Sequence, residues 1–187
     1  MPSTTKSALL VLIPLLVLSL VRPGAQETAP GTRSELPREF RGLRLGMSLD
    51  ELKQALAADE LFHFRGDRDV SLLPNRDQTV IETTGFSFIR RAFFQLVDGR
   101  LFIMAFTMDQ ERVDHYSVFS TFSAKHGDPD TLDPRGAVWV SDATRVSIER
   151  PLTVKYIDRA VFDELVKESR VVEGREAVLR AEFLNEF

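Results

Sequence analysis

A chain of 187 residues without cysteine has no disulfides and no thiolate metal ligands, so its stability has to come from an apolar core. Its 28 acidic residues against 24 Lys and Arg give a net charge of −4 with both signs interspersed. This excludes the basic footprint of nucleic-acid binding, which rests on phosphate neutralisation.

The first residues indicate a compartment. Met1 to Lys6 carries a positive charge and no acid, and Ala8 to Val21 is an apolar run broken only by Pro14 and Ser19. The pattern reads as a signal peptide over residues 1–25, with cleavage after Ala25. The run falls short of the roughly 20 apolar residues that a spanning helix needs, so no membrane span is expected after cleavage. The mature chain keeps about 160 residues, a size that buries ~70% of its unfolded surface in one domain.

Residues 26–39 hold Pro30, Gly31 and Pro37 without a hydrophobic period and read as a flexible linker. The ordered domain is expected over 40–174, starting with Phe40, Leu43 and Leu45. Arg38, Arg41 and Arg44 recur every three residues, but a strand turns alternate residues outward and splits the set, so they read as solvated charges. Ser48-Leu49-Asp50-Glu51 is a capping box, with Met47 and Leu52 as its hydrophobic staple. Leu49, Leu52, Ala55 and Leu56 continue as a helical stripe. Asp50 and Glu51 sit in the first turn, where negative charge complements the macrodipole, which accounts for them without acid–base chemistry.

Phe62 to Arg65 alternates like a short strand, Asp67 to Asp77 reads as a polar loop, and Thr79 to Thr84 is a β-branched strand. Gly85-Phe86-Ser87-Phe88-Ile89 begins like a nucleophile elbow, but Ile89 stands where the second Gly belongs, leaving a hairpin bend. Next, Arg91 to Val97 and Arg100 to Met108 flank Asp98-Gly99, a dipeptide suited to the two positive φ angles of a type I′ turn. A regular register from that turn pairs Leu96 with Leu101, Phe94 with Ile103 and Ala92 with Ala105 on a core face. The opposite face then pairs Gln95 with Phe102, Phe93 with Met104 and Arg91 with Phe106. Together with Arg100 at the rim, these residues form the candidate interaction surface, to be covered by the tail helix or used by a partner.

Asp114 is a suitable N-cap for a helix carrying Val118, Phe119 and Phe122, with Gly127 as its stop. His115 and His126 on it stand about 16 Å apart along the axis, too far to share a metal, and His126 in the last turn suits the dipole. Asp128 to Asp133 lacks calcium-loop spacing and reads as an Asp-Pro turn. Strands follow over Ala137–Val140, Thr144–Glu149 and Leu152–Ile157, their alternation suggesting one buried face. Asp158 caps a helix with Val161, Phe162, Leu165 and Val166 inward; Gly174 interrupts, and residues 175–187 form a tail helix with Val178, Leu179 and Phe183 on one stripe.

A helix followed by a three-stranded meander thus occurs twice, from Leu49 to Met108 and from Asp114 to Ile157. The expected fold is α+β: two helix-plus-three-stranded antiparallel meander units, helices packed on one face of the sheet, and a C-terminal helix. The Gly46-Met47-Ser48-Leu49-Asp50-Glu51-Leu52 start, the Lys125-His126-Gly127-Asp128-Pro129 helix end and the Trp139 strand resemble small exported bacterial proteins of the BamE (SmpA/OmlA) and β-lactamase-inhibitor-protein kind. The chain departs from that pattern in lacking a Gly-x-Pro end to its first helix, a Gly-Met-Ser start to its second, and the Cys through which BamE-like members carry lipid.

The resemblance implies a non-enzymatic role in assembly or protein binding. The expected function is an exported interaction module, periplasmic or secreted in a bacterium, with an envelope protein as partner and no cofactor or metal. An apolar-ligand or lipid carrier is the alternative, since 14 Phe can line a cavity as well as fill a core. A hydrolase using carboxylates comes last, because the three His are scattered and the acids mostly serve caps and turns.

Overall fold

The computed structural model describes residues 35–72 and 78–184, apart from the side chains of 172, 174, 176–178 and 182. The signal segment, its cleavage after Ala25 and linker residues 26–34 lie outside the described residues. The chain packs before Phe40, because Leu36 is only 1% exposed, which places the start of the fold inside the expected linker. Strands β1 (Glu39–Phe40) and β2 (Leu43–Arg44) form a small hairpin whose turn residues, Arg41 and Gly42, both have positive φ. The arginine set is not simply solvated. Arg38 pairs with Asp158 and donates to the Ala143 carbonyl at 2.8 Å, and Arg41 forks onto Asp59 at 2.9 and 3.0 Å.

Helix α1 (Leu49–Ala58) starts as its sequence dictates. The Glu51 N–H donates to Ser48 Oγ at 3.3 Å, and the Ser48 N–H donates to Glu51 Oε2 at 2.8 Å. A 3₁₀ turn, Gly66–Asp69, leads into β3 (Val70–Leu72), a strand within the expected polar loop. Strands β4 (Thr79–Thr84), β5 (Ile89–Val97) and β6 (Arg100–Met108) follow. Helix α2 (His115–His126) is capped by Asp114 and stopped by Gly127 at φ 81°. The Asp-Pro turn continues into β7 (Thr131–Asp133), ahead of β8 (Gly136–Val140), β9 (Thr144–Glu149) and β10 (Thr153–Asp158).

Strands β3 to β10 make one antiparallel sheet in the order β3-β4-β5-β6-β10-β9-β8-β7. The α+β class, the large antiparallel sheet and the C-terminal helix are therefore as expected. One face of the sheet carries the core, with Ile81, Phe94, Met104, Phe106, Trp139, Ile148 and Tyr156 in one cluster. Leu52 and Leu56 of α1 belong to it, and Val118, Phe119 and Phe122 of α2 pack against it. Phe106 is central: its ring lies 4.5 Å from Phe40, 5.9 Å from Phe94 and 6.2 Å from Tyr156.

The central hairpin closes on Asp98 and Gly99 with φ of 49° and 70°, as a type I′ turn requires. Its register departs from the expected one. Leu96 faces Leu101, but Gln95 faces Ile103, Phe94 faces Met104, Phe93 faces Ala105 and Ala92 faces Phe106. Phe102 is the extra residue of a β-bulge, and every side chain after it on β6 changes face. The run from Leu101 to Phe106 is apolar throughout, so it contains no alternation that fixes the register.

Helix α3 (Arg159–Leu184) runs through Gly174 as one element. A lone Gly costs about 1 kcal/mol relative to Ala in a helix, too little to end one that is otherwise made of good helix formers. Asp158 accepts the Val161 N–H at 3.3 Å, and Val161, Phe162, Leu165 and Val166 are half-buried, as their spacing suggests. Beyond them Val171, Leu179, Phe183 and Leu184 are exposed. Leu179 and Phe183, two of the residues expected to cover the hairpin, are thus more than half exposed, and Val178 lies outside the described side chains.

Candidate functional site

The register correction redistributes the surface expected on the hairpin. Met104 and Phe106 are 0% exposed and belong to the core, and Phe102 is 3% exposed outside the main cluster. Arg100 turns to the Gly46 carbonyl at 3.3 Å. Arg91 stands over the Phe93 ring at 5.8 Å and pairs with Glu82 at 3.2 Å. Of the expected set, Phe93 and Gln95 remain together, and they line a groove of about 540 Å³ on the face of the sheet opposite the core.

The floor of this groove follows from strand alternation. Cross-strand pairing lines up Val80, Gln95, Ile103, Ile157 and Arg145 in one row, and Glu82, Phe93, Ala105, Lys155 and Ser147 in the next. All but Glu82 line the groove, joined by Glu149 and by Phe162 of α3. Ala105, in the middle of the second row, leaves the floor low between Phe93 and Lys155. Far from being a solvated outer face, its middle is largely covered: Ala105, Ser147 and Ile157 are all buried.

One side of the groove is apolar and the other is charged. Lys155 Nζ donates to Glu149 Oε2 at 2.5 Å, and Ser147 Oγ donates to Glu149 Oε1 at 2.8 Å. Burial pushes the Glu149 carboxyl up, but the hydrogen bonds from Lys155 and Ser147 and the nearby charges of Lys155 and Arg145 outweigh it, leaving its pKa below the ordinary value. Arg145 Nε is buried with no hydrogen-bond partner. Among the described residues no group of three or more His, Asp or Glu is placed to hold a metal ion. The arrangement combines ion-pair chemistry, a hydroxyl held on a carboxylate and an apolar wall.

Residues 38–168 match a family model described as the TP0088 domain. The chain belongs to the TP0088 domain family. No curated protein and no solved structure gives a match. The matched stretch takes in the whole groove lining, from Val80 to Phe162, so the groove is part of the TP0088 domain itself.

Two other depressions flank the TP0088 domain's core. A polar one of about 320 Å³ is lined by His63, Arg65, Asp69, Glu82 and Arg91, most of whose charges are already paired. The other, of about 500 Å³, lies between α2 and the β1–β2 hairpin, with Phe40, Phe122, His126 and Tyr156 in its wall. Burial pushes the Tyr156 hydroxyl up to about 12 and lowers His126, whose ring lies 4.4 Å from Phe122. Burial thus works against a charge on His126, whose ring packs on Phe122 in the last turn of α2. Arg145, Glu149 and Lys155 were legible in sequence only as the polar alternates of two strands. Their convergence depends on the β9–β10 register.

Proposed function

We propose that this TP0088-domain chain is a non-enzymatic binding protein of the cell envelope that holds a small amphipathic ligand in the outer-face groove. The observation that carries the reading is the apolar wall of Val80, Phe93, Ile103 and Phe162 beside the charged wall of Arg145, Glu149 and Lys155. Its volume of about 540 Å³ falls in the range of roughly 300–1,000 Å³ used for small ligands. Export follows from the signal-like start of the chain. In this reading the sheet is two helix-plus-meander units joined at β6 and β10, each lengthened by an edge strand, with both helices on the core face and the other face left for binding.

Native mass spectrometry of the full chain, purified gently from envelope, tests the proposal. A bound small mass that is lost in Ala105→Met, which raises the groove floor, is the expected result. A bare mass from every preparation would count against it.

A second reading, a protein-interaction or assembly module, is favoured by the exposed Val171, Leu179, Phe183 and Leu184 of α3. Its test is a reproducible crosslinked envelope partner that Leu179→Glu abolishes while the fold stands. Loss of no partner in that variant would set this reading aside.

A further inference from the structure

We infer that the groove binds a long-chain carboxylate, its head group held by Arg145 and its chain lying along the row toward Val80; this rests on the ligand-binding reading above. The head-group end is argued from charge. Among the described lining residues, Arg145 and Lys155 bring two positive charges and Glu149 one carboxylate, which is already taken by Lys155 and Ser147. One positive charge is left over, and the buried Nε that bears part of it donates to nothing. A guanidinium offers five donors in a fixed fork that matches a carboxylate edge to edge. An incoming monoanion balances that charge by meeting the guanidinium where it lines the groove, Nε itself being closed off from it. A dianionic head group would instead leave the site with a negative excess.

The chain end is argued from the row itself. From Arg145 the floor passes Ile157, Ile103 and Gln95 to Val80, crossing β9, β10, β6, β5 and β4. At about 4.8 Å per strand this is roughly 19 Å, the reach of an extended long acyl chain. Gln95 is the one polar side chain between its ends. A peptide laid there would bring backbone N–H and C=O groups with almost nothing to receive them, and each unpaired group would weaken binding. An alkyl chain has no such groups, and Phe93 and Phe162 border its path.

The test titrates the full chain with hexadecanoate and hexadecanol, following heat by calorimetry, for wild type, Arg145→Gln, Arg145→Lys and Ala105→Met. The expected result is that wild type binds the acid at least tenfold more tightly than the alcohol. Arg145→Gln should weaken the acid at least tenfold and leave the alcohol unchanged, and Ala105→Met should weaken both. Should Arg145→Gln not fold, Arg145→Lys, which keeps the charge and loses the fork, serves in its place with an expected loss of threefold or more. Equal binding of acid and alcohol, or an acid affinity indifferent to both Arg145 variants, overturns the carboxylate assignment. The groove reading then survives only if Ala105→Met still abolishes binding. No binding of either probe, together with a bare native mass, overturns both.

Discussion

Asp69 has a side chain with no solvent exposure, and it accepts the Arg65 backbone N–H at 2.9 Å and the Arg65 guanidinium at 2.6 and 2.9 Å. Burial pushes its pKa up, and the Arg65 hydrogen bonds more than reverse this, so the folded-state value lies below the ordinary one. A depressed folded pKa contributes stability that is present above the unfolded carboxylate pKa, roughly 3.9, and is lost as pH falls through the folded value. Asp69→Ala is expected to lower stability by about 2 kcal/mol in urea unfolding at pH 7, the scale of a buried hydrogen-bonded charge whose partner can reach water.

His115 and His126 show the same sense of dependence, in a higher pH window. Burial lowers His115, with Arg150 adding to the effect and Asp114 opposing it; burial and Lys125 lower His126. Each is therefore harder to protonate folded than unfolded. Their contribution is full above the unfolded value of roughly 6.5 and is lost as pH falls from there toward the folded values. Urea midpoints should drop between pH 7.5 and pH 5, and the drop should shrink in His115→Gln/His126→Gln. At this scale the sequence was readable wherever chemistry is local, as in the Ser48–Glu51 box. It was not readable for Arg38, whose partners Ala143 and Asp158 are more than a hundred positions away.

Among the elements, the bend between β4 and β5 shows how little space a turn can allow. A Cβ on Gly85 would stand 2.5 Å from the Ile89 carbonyl oxygen, a backbone atom with no easy retreat. Gly85→Ala is expected to destabilise by about 1–3 kcal/mol, read from the urea midpoint. Strand and helix positions from Thr79 to Val166 were largely visible in periodicity and turn chemistry. The edge strands β3 and β7 were not, because three residues in a polar stretch become a strand only when a neighbour offers its open edge. Nor could local signals carry the helix past Gly174, where Leu179 and Phe183 are 56% and 63% exposed. Truncation after Gly174 is accordingly expected to shift the urea midpoint only slightly.

Across the whole molecule, the long-range step is the pairing of β6 with β10, which joins the two ends of the sheet. Packing is continuous across it, through Phe106 and Tyr156 on one face and Ile103 and Ile157 on the other. The lone Trp139, fully buried with Nε1 donating to the Gly127 carbonyl at 2.9 Å, reports from one side of this seam. Its fluorescence and far-UV circular dichroism should give one coincident urea transition, as a cooperative two-state domain requires. Phe106→Ala should move both signals together by about 3–5 kcal/mol.

The extra residue at Phe102 has a consequence that reaches beyond its own hairpin. A bulge bends its strand and steepens the local twist, so the concavity beneath Ile103 is set by chain length at one point, independently of which side chains line it. Across TP0088 domains, a one-residue gain or loss here would reshape the hollow while leaving its ion pairs spelled out unchanged. Under the proposed ligand-binding role, ligand size and head-group preference would be free to diverge separately, the first by insertion and deletion, the second by substitution.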